Sequence, residues 1–154
     1  MMPNYRFSES ALIDAPPQNL YAILADYHRG HASILPKPPF VDLTVEQGGI
    51  GEGTIIRVRM RVLGLVQAYR AVVTEPDPGR VLVETNENGY VTSFIVEPHS
   101  DGQHTNVTIA TELPARTGVP GAVERWLMPR MLRPVYQREL AQLAEVAAAG
   151  PEGS

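Results

Sequence analysis

The chain reads as an α+β domain with about seven antiparallel strands, one or two short helices after the first strand, and one long helix at the C-terminal end. Three observations predict this. Apolar and polar residues alternate over 5–13, with Phe7, Ala11 and Ile13 on one parity and Arg6, Ser8 and Ser10 on the other. Six further strand-like segments lie between Phe40 and Leu113, separated by short turn signals. From Val119 onward the apolar period becomes helical.

After the first strand, Asp14-Ala-Pro-Pro supplies an N-cap candidate and prolines that fit a first helical turn, and Leu20, Ile23 and Leu24 recur at helical spacing. A helix over 17–26 is predicted. The segment 27–39 carries two histidines, a glycine and three prolines, which leaves room for at most one more helical turn, around 31–35. The strand-like segments then run over 40–46, 53–63, 66–75, 80–85, 90–97 and 104–113. Between them lie Gly48-Gly49, Gly64, Pro76-Asp-Pro-Gly79, Asn86-Glu-Asn-Gly89 and Ser100-Asp-Gly102. Spacings this short favour hairpin-linked antiparallel neighbours over parallel crossovers. Over 119–149, Met128, Leu132, Val135, Tyr136, Leu143 and Val146 share one helical face, and Pro129 and Pro134 predict a kink or a helix that starts only at Pro129. Residues 1–149 form one domain in this reading, and 150–154 a frayed tail.

Composition removes several function classes. A chain of 154 residues without cysteine has no disulfide, thiolate nucleophile, thiolate zinc site or iron–sulfur ligation, and agrees with a reducing, cytoplasmic setting. The start, MMPNYRFSES, lacks the basic-then-apolar run of a signal peptide, and no stretch approaches the ~20 apolar residues of a membrane span. A net charge of -4 argues against general nucleic-acid binding. There is no GxGxxG before a helix, no GxxxxGK and no GxSxG, so no cofactor is predicted. Gly48-Gly-Ile-Gly51-Glu-Gly53 lies between two strands and reads as a hairpin turn.

The element order, together with "LIDAPPQNLYAILADY", "VTEPDPGRVLVE" and "PRMLRPVYQRELAQLAE", resembles the START-like (SRPBCC) superfamily, in particular its polyketide cyclase/dehydrase branch. The resemblance spans nearly the whole chain and implies a helix-grip fold, a curved sheet wrapped around the final helix over an apolar cavity. It implies no single chemistry, because such relatives include lipid carriers, hormone receptors, aromatase/cyclases, quinone-binding proteins and stress-protein modulators.

Alternation assigns the cavity face. Ile56, Val58, Met60 and Val62 oppose Arg57, Arg59 and Arg61, which places the arginine row toward solvent. Tyr69, Ala71 and Val73 share a parity, as do Thr92, Phe94 and Val96, and Val107, Ile109 and Thr111. With Leu132, Tyr136 and Trp126 from the helix side, the ligand-binding candidates are Ile56, Val58, Met60, Tyr69, Thr92, Phe94, Ile109, Thr111, Leu132 and Tyr136. The hydroxyls of Tyr69, Thr92 and Thr111 either orient a ligand or bond to neighbouring strands.

His28 and His31 are spaced to share one side of a helical connector. Two histidines make no closed metal site, even with Asp26 near, so no metal is predicted. Each is either an acid or base at a pocket mouth or an exposed connector residue, and position favours the second. Glu139 falls in the apolar stripe of the last helix; it either faces the cavity as a proton donor or acceptor, or turns to solvent at a proline kink. Glu84 and Glu112 read as edge or outer-face residues, and His99 and His104 as exposed.

The first functional expectation is binding or transport of a small hydrophobic molecule, such as a lipid, quinone, isoprenoid or aromatic polyketide. The second is a polyketide cyclase or dehydratase using a pocket His, Tyr or Glu, with His28 and Glu139 as candidates. The third is a protein-interaction module that uses the outer sheet face and its arginines.

Overall fold

The turn signals between Phe40 and Leu113 produce the meander their spacing predicts. In the computed structural model, which describes residues 5–150, the chain forms β1 (Tyr5–Ile13), α1 (Pro17–Ala25), α2 (Gly30–Ile34), β2 (Phe40–Gln47), β3 (Ile55–Val62), β4 (Leu65–Asp77), β5 (Val81–Asn86), β6 (Val91–Pro98), β7 (Thr105–Leu113) and α3 (Gly118–Ala149). The expected tail lies, from Pro151 on, outside the described residues. All sheet neighbours are antiparallel and the order is β1-β7-β6-β5-β4-β3-β2, so the first strand returns to an edge beside the last.

The β3–β4 turn illustrates how local chemistry sets the register. Val62 pairs with Leu65, leaving a two-residue loop in which Leu63 and Gly64 both take positive φ, 51° and 82°. A two-residue loop with both φ values positive matches the right-handed twist of the flanking strands. Gly64 adopts such a φ freely; Leu63 does so at some steric cost.

The helices pack on the concave side. Leu20, Leu24, Ile34, Ile56, Leu82, Ile109 and Leu143 join in one core that links α1, α2, the sheet and α3. Asp14 does not cap α1: Pro16 occupies the N-cap position without a side-chain bond, and Asp14 is exposed. α3 does not begin at Pro129; it is helical from Gly118 and continues through both prolines. Each proline lacks the N–H that would reach back one turn, yet the segment stays helical past both, with Val135, Tyr136, Leu140 and Leu143 buried. It ends at Gly150, whose φ of 75° lets its N–H bond the Ala147 carbonyl.

Candidate functional site

Between the inner face of the sheet and α3 lies a cavity of about 740 Å³. Its walls follow from strand alternation. Ile56, Val58, Met60 and Val62 from β3, Tyr69 and Ala71 from β4, and Thr92 and Phe94 from β6 face inward, while Met128, Met131, Leu132, Val135 and Tyr136 close it from α3. Two of the predicted lining residues stand elsewhere. Ile109 and Thr111 are buried, but they lie behind this wall and not on it, because α3 covers β7 directly at Tyr136: the Tyr136 hydroxyl sits 2.6 Å from Thr111 Oγ1. Thr111 Oγ1 is in turn 2.9 Å from Thr92 Oγ1, so the three hydroxyls satisfy one another.

Trp126 is exposed, with the Arg130 guanidinium 4.4 Å from its ring centre, and forms no part of the wall. The arginine row splits. Arg57 and Arg59 are exposed on the outer face, where Arg59 Nε is 3.0 Å from both oxygens of Asp42, whereas Arg61 reaches the cavity rim together with Arg138. A register shift on β2 between Phe40 and Asp42 lies beside this rim.

The polar end of the cavity is built by the connector that the sequence left nearly featureless. His28 is exposed and does not line the cavity. His31 does, at 2 % exposure, and it is not a surface residue. The reason is the close seat of α2. A Cβ on Gly30 would lie 2.4 Å from the Ile23 carbonyl oxygen, so only glycine lets the two helices approach this far. The corner is held by backbone bonds from Tyr27 N to Gly49 O (2.8 Å) and from Gly51 N to Ala25 O (2.9 Å). Asp26 serves this turn, accepting the N–H groups of His28 and Arg29.

His31 Nδ1 is 2.8 Å from the Leu24 carbonyl, which can only accept, so Nδ1 carries a hydrogen. Nε2 lies 3.2 Å from Glu84 Oε2, a contact that requires a proton between the two atoms. The Tyr27 hydroxyl donates to the same Glu84 oxygen at 2.7 Å, and the His31 ring stacks on Tyr27 with centroids 4.3 Å apart. Glu84 thus points inward, contrary to its expected outer-face position. Its parity on β5 is that of buried Leu82, and it stands opposite Thr92 on β6.

Glu139 also faces the cavity. It is 2 % exposed, and its Oε2 has neither solvent nor a hydrogen-bond partner. Burial, and next the nearby Glu84, push its carboxyl well above the usual range. Burial likewise raises the phenol of Tyr69, with Glu84, Tyr136 and Glu139 adding to it. The phenol of Tyr27 is raised by burial and by Glu84.

At the other end of the cavity, the Tyr90 hydroxyl donates to Glu124 Oε2 at 2.5 Å, and Arg116 joins Glu124 to the Asn88 carbonyl. Among the described residues there is no group of three or more potential metal ligands, and no helix is long and apolar enough to cross a membrane.

A family model described as "Polyketide cyclase / dehydrase and lipid transport" matches residues 5–148. The chain belongs to this family. Three solved structures have the same fold as this chain. The KanY protein is 24% identical over 94% of this chain and 97% of its own, with a TM-score of 0.79. Zhui aromatase/cyclase from Streptomyces sp. R1128 is 15% identical over 96% and 95%, with a TM-score of 0.74. A START superfamily protein from Mycobacterium smegmatis is 12% identical over 94% and 99%, with a TM-score of 0.68. No curated protein sequence matches the chain.

Besides Ile109, Thr111, Trp126 and Arg61, sequence reasoning misplaced His31 and Glu84. A signal for His31 existed in Gly30: a glycine directly before a helical turn allows backbone contact with a neighbour. For Glu84 the strand reads Val-Leu-Val-Glu-Thr, and its β-branched residues favour the wrong face.

Proposed function

We propose that the protein binds a small hydrophobic molecule, of the lipid, quinone, isoprenoid or aromatic polyketide kind, in the cavity between sheet and α3. The observation that carries this reading is the cavity itself. At about 740 Å³ it lies within the ~300–1,000 Å³ typical of small-molecule sites, and its walls are mainly aliphatic and aromatic with a few convergent polar groups. Burial of ligand surface there contributes about 25 cal/mol per Å² before the costs of association are subtracted. Affinity should therefore follow the apolar area of the ligand. Native mass spectrometry of the freshly purified chain tests this directly by retaining any co-purified molecule, and titration with an environment-sensitive apolar dye measures the cavity's affinity. No co-purified mass together with no dye binding would refute the reading.

The contact of His31 with Glu84 favours a second reading, an enzyme of cyclase or dehydratase type. In it, the Glu84 carboxylate, held in place by the His31 ring, takes a carbon-bound proton from a folded substrate, and Glu139 gives a proton to an oxygen that leaves as water. The test is conversion of a linear polyketide mimic, followed as loss of water in the mass spectrum. Turnover by the wild type and its abolition in His31→Gln, with dye binding retained, would support the enzyme over the carrier.

A further inference from the structure

Among the described residues, Glu139 is the fully buried acid of the cavity, and no neighbour satisfies its Oε2. Tyr69 on β4, Glu84 on β5 and Tyr136 one turn earlier on its own helix stand near it, and His31 on α2 lines the same cavity. Most polar atoms at this end already have partners. Both His31 nitrogens are used, the Tyr27 hydroxyl is taken by Glu84, and Tyr136, Thr111 and Thr92 bond to one another. The Tyr69 hydroxyl and the Glu139 carboxyl can both donate, make no hydrogen bond among the described residues and line the same cavity.

We propose that Glu139 and Tyr69 form a two-donor clamp for a hydrogen-bond-accepting oxygen of the ligand, a ketone or quinone oxygen carried at the inner end of an otherwise apolar molecule. This rests on the binding reading above and narrows it to a ligand class. An unpaired carboxyl in an apolar site stays in its neutral form, and that form has one O–H to give. The negative neighbour Glu84 reinforces the neutral form, and burial keeps the Tyr69 phenol protonated. A ligand cation is disfavoured because Arg61 and Arg138 both stand at the cavity rim, and neither is paired with a described carboxylate. An oxygen acceptor meets both donors without placing a new charge in the cavity.

The experiment measures affinities of the full chain for three probes of similar shape: 2-acetylnaphthalene, which carries a ketone, 2-isopropylnaphthalene, which carries none, and 2-(aminomethyl)naphthalene, a cation at neutral pH. The readout is the ratio of acetyl to isopropyl affinity in wild type, Glu139→Leu, Glu139→Gln and Tyr69→Phe. The ratio should fall about tenfold in Glu139→Leu, the value of one hydrogen bond, and in the same direction in Tyr69→Phe. Glu139→Gln keeps an N–H donor and should retain most of the wild-type ratio. As pH rises through ionisation of Glu139, the wild-type ratio should decline while that of Glu139→Gln stays level. Equal ratios in wild type, Glu139→Leu and Tyr69→Phe, or tightest binding of the amine by the wild type, would overturn the clamp and leave the cavity reading standing. Failure of all three probes to bind the wild type would overturn both.

Discussion

Replacing Glu139 by leucine should stabilise the protein, although it removes one of the two donors proposed for the clamp. In the folded state the carboxyl is 2 % exposed and Oε2 has no partner, so its desolvation is uncompensated. An unsatisfied buried polar group costs about 1–3 kcal/mol, and leucine fills a similar volume without that cost. For a chain of this size each kcal/mol moves the melting temperature by roughly 2–4 °C, so a rise of roughly 2–12 °C is expected. The effect must depend on pH. The carboxyl's folded pKa is raised, so below its unfolded value both states are protonated and the group contributes no pH dependence. Above that value the unfolded chain releases the proton while the folded chain retains it, and wild-type stability falls with pH until the folded carboxyl ionises. The slope from this one group is at most about 1.4 kcal/mol per pH unit. Glu139→Leu and Glu139→Gln should lack this component, so the gap between wild type and the leucine variant should widen as pH rises from about 4.5. Differential scanning calorimetry of the ligand-free proteins from acid to neutral pH measures it. A leucine variant that melts below wild type at neutral pH, or a gap that does not change with pH, would refute the view of Glu139 as an unsatisfied buried acid.

Thr92→Trp should block ligand binding with the fold retained, because Thr92 lines the cavity and a ring there displaces ligand; each 50 Å² of dye surface displaced costs ~1.3 kcal/mol, about tenfold in affinity. Arg59→Glu, on the outer face, should leave dye affinity at the wild-type value in the same titration, and equal affinities in all three proteins would count against the cavity. Gly30→Ala drives a methyl group against the Ile23 carbonyl, and denaturant unfolding should register a loss of ~1–3 kcal/mol with weaker dye binding as α2 and His31 shift; an unchanged midpoint would refute the close helix approach. Tyr27→Phe deletes a donor to Glu84, and chemical denaturation should report a loss of ~1.5–3 kcal/mol, whereas a loss under ~0.5 kcal/mol would mean that the hydroxyl contributes little.

How far the site was legible varies by element. On β3 the residues alternate strictly between Ile56, Val58 and Met60 and the intervening arginines, and the pleat puts them on opposite faces as read, apart from Arg61 at the rim. On β5 both parities hold aliphatic residues, so alternation cannot choose; pairing of Glu84 with Val73 on one side and Thr92 on the other decides that the acid faces inward. Glu139 was visible as a carboxylate within an apolar stripe, but its direction depended on how α3 passes Pro134. Trp126 was a candidate by type alone, and it lies on an exposed part of α3 with Val119 and Val123.

The chain's own pattern determined the number of strands, their antiparallel succession, the long final helix and most of the apolar wall. These follow from turn residues and side-chain period, which are local properties of a few neighbouring residues. Only tertiary structure decided which polar groups meet. His31, Glu84 and Glu139 lie on three elements far apart in sequence, and their convergence depends on how α2 seats on α1 and how the sheet curves around α3. Contacts of that kind are set by packing across the whole domain, and no short stretch of sequence encodes them.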